Sequence, residues 1–269
     1  MPMNILALGA SRNIGYFACK SLLNEGHSVT FVLRKPSVFE SDTEIQSFIK
    51  NGKAKIIPGD ATVRADIQKA IDSTTETGLD VILFSVGGAP SVSLTKGVFI
   101  DPPNLCSSSL LNVLACYPDV LPQPKLIVVS ANGLTKAGYG ALPLYLKPVF
   151  TVGLKKPYAD KRVMETVIFR AANWTWPEET PKDMRTFLGA DWEKELREPG
   201  FLKEIVIIRP SLLVDGDDKV PAEGKYQTTT EELKKPFSIT RKEVAHFITE
   251  KLLKQWEDWN GKIVKITSS

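Results

Sequence analysis

The chemistry of this sequence begins at Gly9-Ala10-Ser11-Arg12-Asn13-Ile14-Gly15, where an apolar run gives way to a helical pattern. Two glycines six residues apart in that position suit a phosphate cradle. Glycine permits a tight turn and a close backbone approach, and the helix that follows offers free N–H groups and a partial positive charge. The position between strand and helix carries the reading, because a glycine pair alone is a weak signal. A dinucleotide bound there also needs a partner for its adenosine ribose, about 20 residues further on. An acid would grip a free 2′-hydroxyl, whereas this chain has Arg34 and Lys35 at the end of the second apolar run. Arg12, inside the glycine turn, is a third cation within reach of the same place. Guanidinium groups suit a 2′-phosphate because their planar fork donates in pairs, so the charge code favours NADP(H).

With these residues in place, the chain resembles the short-chain dehydrogenase/reductase superfamily, whose turn reads T-G-x-x-x-G-x-G. Leu8 replaces the threonine and Asn13 the middle glycine; asparagine is among the residues that tolerate left-handed backbone angles. The atypical, NmrA-like branch fits best, through Asp160-Lys161…Glu165, "IVIIRPSLL" and "SITRKEVAHFI". The resemblance implies a Rossmann-type fold and further cofactor contacts at Asp60 and Ala61 after the third strand. It implies others at Val86, Gly87 and Gly88 after the fourth, and at Pro210 and Ser211 after the sixth. It also implies a Ser, Tyr and Lys that act together. The tyrosine gives a proton to a carbonyl oxygen during hydride transfer, the lysine lowers its pKa and holds the nicotinamide ribose, and the serine orients the substrate. A cation beside the tyrosine is physically required, since a free phenol titrates near pH 10.

Candidates for those roles exist in imperfect register. The fifth apolar run ends in Ser130-Ala131-Asn132, with Ala131 where relatives commonly keep the working serine, so Ser130 is the candidate and Asn132 its substitute. On the next helix Tyr158 precedes Lys161 by three residues and Arg162 by four, and both fall on roughly its face. Lys161 with Glu165 reproduces the K-x-x-x-E spacing of relatives, which makes Lys161 a cofactor-ribose ligand and puts the family's tyrosine register on Pro157. Tyr158 or a bound water then remains to deliver the proton.

These residues need a scaffold, and the rest of the chain reads as one. Runs at 4–10, 28–34, 53–57, 80–86, 125–131 and 204–210, and "KIVKIT" near the end, are short, near-continuous and rich in β-branched residues, as strands covered on both faces are. Amphipathic stretches such as Asn13–Glu25 and Asp160–Ala172 alternate with them. The expected architecture is a doubly wound parallel sheet with helices on both faces, one domain over 1–269. Two segments interrupt it, an insertion or lid at 173–203 and a loop region at 211–237. With 139–150 and 212–230, the insertion is the expected substrate cover, in which Tyr145, Phe150, Trp174, Trp176 and Trp192 offer an apolar pocket, or else core packing or a contact with a second copy of the chain. Homo-oligomerisation is therefore left open.

Composition narrows the rest. With 43% hydrophobic and 24% charged residues and a net charge of +3, the chain suits a globular protein without nucleic-acid or membrane partners. Cys19, Cys106 and Cys116 lack metal or redox spacing, and with no secretory signal in view the expectation is reduced thiols and a cytoplasmic location. No metal site is expected; His27 and His246 lie far apart, and Asp215-Gly216-Asp217-Asp218 lacks the rest of a calcium loop. The expected function is NADPH-dependent reduction of a small, apolar or aromatic carbonyl or conjugated compound. The alternatives are a non-catalytic NADP(H) sensor and a redox-neutral isomerase or cyclase on the same fold.

Overall fold

The computed structural model describes residues 1–88, 91–93, 97–145, 147–148, 151, 153–216, 224–234 and 236–268; Phe150 and Asp217-Asp218 lie outside the described residues. The strands are β1 (Asn4–Leu8), β2 (Ser28–Leu33), β3 (Ala54–Pro58), β4 (Val81–Phe84), β5 (Ser91–Ser93), β6 (Gly97–Phe99), β7 (Lys125–Val129), β8 (Ile205–Pro210), β9 (Leu212–Val214), β10 (Tyr226–Thr229), β11 (Ser238–Thr240) and β12 (Lys262–Ser268). Eight of them form one sheet in the order β10-β12-β8-β7-β4-β1-β2-β3. Every pairing in it is parallel except that of β10 with β12. The helices are α1 (Asn13–Asn24), α2 (Thr43–Lys50), α3 (Arg64–Thr75), α4 (Leu105–Ala115), α5 (Lys136–Ala141), α6 (Lys155–Ala172), α7 (Met184–Leu188), α8 (Arg241–His246) and α9 (Trp256–Trp259). A π-helical stretch, Phe247–Leu252, continues α8.

This is the expected doubly wound fold. Alternate residues of each central strand feed two separate cores, because side chains along a strand point to opposite faces. Leu6 and Leu8 of β1 pack with Ile67, Leu110 and Val167 on one face. Ile5 and Ala7 pack with Leu22, Val244 and Ile248 on the other. The strand order reverses between β1 and β4, since the chain builds outward from β1 to β3 and then returns to build the other half from β4. In such sheets the crevice beyond the carboxyl ends of the strands at the reversal is the ligand position.

Three segments differ from expectation. Helix α6 starts at Lys155, five residues before Asp160, so Pro157 and Tyr158 stand in its first turn. A proline is tolerated there because a first-turn N–H has no intrahelical partner to lose. Residues 211–237 are not a loop throughout. They hold β9, which pairs with β11, and β10, the antiparallel edge of the main sheet. Residues 173–203 carry α7 and a short 3-10 turn at Trp192–Glu195 and pack into the α4–α6 layer, with Met184, Trp192, Leu196 and Leu202 buried there. Phe169 of α6 meets Trp174 and Trp176 in T-shaped contacts at ring-centroid distances of 5.4 and 4.9 Å. The three tryptophans are thus core or core-edge residues.

Phe169→Ala should remove that anchor. The expected cost is about 3–5 kcal/mol in urea unfolding, with cleavage by a dilute protease rising within residues 173–203. Unchanged stability would mean that the insertion is held by other contacts.

Candidate functional site

The glycine turn is built as its composition requires. Gly9 has φ +74°, and a Cβ on it would stand 2.5 Å from the Val86 nitrogen and 2.6 Å from the Ser85 carbonyl. A Cβ on Gly15 would stand 2.2 Å from Ser85 Oγ. Both glycines therefore let the start of α1 lie directly against the end of β4. Asn13, in place of the middle glycine, has φ +60°, so the departure from the family pattern keeps the backbone shape. Arg12 is the extended N-cap of α1 and makes no side-chain cap, and no acid stands in the first turn. The N–H groups of that turn are left for a ligand, with the positive end of the helix dipole behind them.

That turn floors a cleft of about 760 Å³ at the carboxyl ends of β1, β4 and β7. Of the cofactor residues and the Ser130, Tyr158 and Lys161 set expected from the sequence, all but Gly15 line it; Asn132 does not. Arg12, Arg34 and Lys35 are exposed, and none of the three side chains is hydrogen-bonded or ion-paired among the described residues. The Asp60 carboxylate closes its own turn, accepting from the Thr62 backbone N–H and hydroxyl at 2.8 Å. None of residues 173–203 lines the cleft; its apolar walls come from Ile100, Leu154, Pro157, Leu212 and Leu213. Of the readings open for Trp174, Trp176 and Trp192, core packing is the one the structure shows, behind α6.

At the far end stand the residues considered for chemistry. Ser130 is 3% exposed and gives its hydroxyl hydrogen to Glu165 Oε1 at 2.5 Å. Glu165, fully buried, is held from below by Arg209, with Nε 3.1 Å from Oε1 and the second prong on Oε2. Burial pulls the Arg209 pKa down, and the Glu165 carboxylate outweighs it to leave a net rise. Lys161 donates to the Val129 carbonyl at 3.2 Å. The Tyr158 hydroxyl donates to the Asn132 carbonyl at 2.9 Å, and burial pushes its pKa up. Asp160, 2% exposed, caps α4 by accepting from the Cys106 and Ser107 N–H groups at 2.7 and 2.9 Å.

The sequence reading quoted Glu165 and Arg209 inside motifs without pairing them. The available signal was two opposite charges within otherwise apolar or helical surroundings, which are rarely buried unless paired. Arg241, bound to Asp215 at 2.6 Å, also lines the cleft and had no signal, because its partner is 26 residues away.

Several features test whether a dinucleotide fits. The Gly9 cradle would be filled by any Cβ, the α1 N-terminus is uncapped by side chains, and the Ser211 hydroxyl is buried in the cleft wall with no partner among the described residues. All three suit a ligand with a pyrophosphate and polar ring substituents. A family model described as NAD(P)H-binding matches residues 9–176, starting at Gly9 and covering well over half of the chain. The chain belongs to this NAD(P)H-binding family. The atypical, NmrA-like resemblance agrees with that membership. The reductase pytE of Aspergillus terreus is 29% identical over 199 residues, 70% of this chain and 66% of its own length. The chain thus spans just under two thirds of that relative. An anaerobillin reductase, ChuY, of Escherichia coli O157:H7 shares the fold with a TM-score of 0.60 at 17% identity, over 99% of this chain and 97% of its own. So does an alcohol dehydrogenase of Thermococcus sibiricus in complex with 5-hydroxy-NADP, with a TM-score of 0.58 at 14% identity over 98% and 96%.

The residues that line the cleft where the family's nicotinamide dinucleotide would be held are Gly9, Ser11 to Ile14, Arg34, Lys35, Asp60, Ala61, Val86 to Gly88, Lys161, Pro210 and Ser211. Among the described residues no helix is long and apolar enough to cross a membrane, and no cluster of three or more His, Cys, Asp or Glu could hold a metal.

These outcomes follow from the geometry. Asn13→Gly should fold with unchanged stability, Asn13→Val should cost about 1–2 kcal/mol for a branched residue at positive φ, and Gly9→Ala should abolish dinucleotide binding in calorimetry. Cys106 is buried and its thiol pushed up to about 12, so at pH 8 only about one in ten thousand is thiolate. Native protein should leave Cys106 unreacted in a thiol titration at pH 8 and react fully when unfolded. Because its folded pKa is raised, the stability this thiol contributes is fully present below its unfolded value near 8.5 and is lost as pH rises toward 12.

Proposed function

We propose that the protein is an NADPH-dependent oxidoreductase that reduces a small apolar carbonyl or conjugated compound. The observation that carries the cofactor preference is the convergence of Arg12, Arg34 and Lys35, all exposed and unpaired among the described residues, on the cleft wall where an acid would select NAD. A 2′-phosphate would supply a counter-charge to those side chains. The similarity to the Aspergillus terreus reductase supports the direction of the chemistry.

When bound, the dinucleotide supplies a hydride, and the chain's own residues do the rest. Lys161 is fixed by its bond to Val129 with its remaining N–H donors free for the ribose. Ile100, Leu154, Pro157, Leu212 and Leu213 exclude water and hold an apolar body. Ser130 meets the substrate beside Lys161. The proton taken up by the product oxygen comes from a water held at Lys161, because Tyr158 is a weaker acid than a free phenol and is already committed to Asn132. That same feature of Tyr158 favours the second reading, an NADP(H)-binding sensor that consumes no cofactor.

Calorimetry with NADPH and NADH at one salt concentration tests the first step. NADPH should bind at least about tenfold tighter, equivalent to about 1.4 kcal/mol, and Arg34→Ala should erase most of that margin. Equal binding would withdraw the NADP preference. NADPH oxidation with a panel of quinones, aldehydes and enones tests the second step. Lys161→Ala should lose activity, while Tyr158→Phe should stay within about threefold of the parent, since a proton donor would be worth about a hundredfold or more. Tight NADPH binding without turnover of any compound would select the sensor.

A further inference from the structure

The direction of one hydrogen bond restricts what the cleft accepts, and this restriction rests on the cofactor reading above. As the anionic half of a two-pronged ion pair, Glu165 can only accept hydrogen bonds. Both of its oxygens face Arg209, and it is fully buried. The hydrogen between Ser130 Oγ and Glu165 Oε1 therefore belongs to Ser130. A hydroxyl has one hydrogen, so Ser130 turns only lone pairs toward the cleft it lines. Its backbone N–H is also committed, to the Ile208 carbonyl at 2.7 Å. Turning the hydrogen outward would take a charge-assisted bond from a buried carboxylate, which is unfavourable.

A carbonyl oxygen placed at Ser130 would meet another acceptor, whereas a hydroxyl or N–H would be received. Lys161, tied to the carbonyl of the adjacent Val129, is a donor. The cleft end thus offers a fixed acceptor beside a fixed donor, within apolar walls. We propose that Ser130 is a specificity-determining hydrogen-bond acceptor, and that the substrate carries a hydroxyl next to its reacting carbonyl, as an apolar α-hydroxy ketone does. Glu165 and Arg209 are positioning residues that act through Ser130 by fixing which way its hydrogen points.

The test uses a matched pair of ketones on protein saturated with NADP⁺, which cannot reduce them. 2-Hydroxyacetophenone and propiophenone have nearly the same shape and differ in a hydroxyl against a methyl. By calorimetry the hydroxy ketone should bind at least about tenfold tighter, and Ser130→Ala should bring the ratio to about one. The double variant Glu165→Gln, Arg209→Met removes both buried charges together and gives Ser130 an amide donor. Its hydroxyl is then free to turn outward, and the preference should fall or invert, a change that a purely structural role for the pair would not produce. If the double variant does not fold, Ser130→Ala decides alone. Equal affinity for the two ketones, binding of neither, or a ratio that survives Ser130→Ala overturns the proposal. Absence of NADP⁺ binding overturns the cofactor reading, and the proposal with it.

Discussion

The absence of a side chain at Gly9 is the constraint on which the site depends. Because nothing projects from it, β1 can end within contact of the Ser85–Val86 backbone, and α1 can leave at an angle that aims its N-terminal N–H groups along the crevice. Gly15 extends the same close approach one turn further, against Ser85 Oγ. Both contacts cross the point where strand order reverses, so the turn joins the two halves of the sheet as well as shaping the floor. Asn13 shows which property of the middle position matters. Its backbone stands at positive φ, and a side chain there is harmless because the position, unlike Gly9, is exposed.

The opposite end of the cleft is organised by charge. Glu165 and Arg209 lie on α6 and β8 and are nearly inaccessible to water. A buried pair of this kind adds little net stability over a well-packed apolar pair, but breaking it by losing one partner is severe. Its consequence is orientation. The pair ties α6 to the sheet at one depth, which places Lys161 one turn away against Val129, and it fixes the Ser130 hydroxyl at the end of β7. Asp160 adds a second buried anchor by capping α4. Three residues within six positions of α6 therefore each hold a different element of the cleft.

Much of this was legible in the sequence. The strands were readable as continuous apolar runs because the sheet is covered on both faces, and the glycine turn because its residue types have few other uses in that context. Other features were not. β10 is an edge strand with one polar face, and "YQTT" lacks the apolar run that revealed the central strands. The tryptophans of 173–203 gave no directional signal, since large aromatic residues serve a pocket and a core equally well; Phe169, which receives two of them, is 5 residues from Trp174 but on a helix whose start was placed late. Glu165 and Arg209 were each visible, but their pairing spans 44 residues, and no local pattern encodes it.

The Tyr158 register shows how a one-residue offset changes a site. A single position on a helix is about 100° of rotation, too much for a side chain to recover while its backbone stays in place. Pro157 takes the position that faces the cleft in the family pattern, which is permitted because α6 starts only two residues earlier. Tyr158 still borders the cleft, but its hydroxyl reaches the Asn132 carbonyl. That bond uses its hydrogen, and burial makes the hydrogen harder to release. Ala131 makes the equivalent change at the end of β7 by removing a hydroxyl and leaving Ser130, which already donates to Glu165. Two groups that would supply hydrogen to a carbonyl oxygen are thus a proline and an alanine, and the two neighbouring hydroxyls point their hydrogens into the protein. Lys161, which donates to the Val129 carbonyl, is a donor at this end beside the Ser211 hydroxyl.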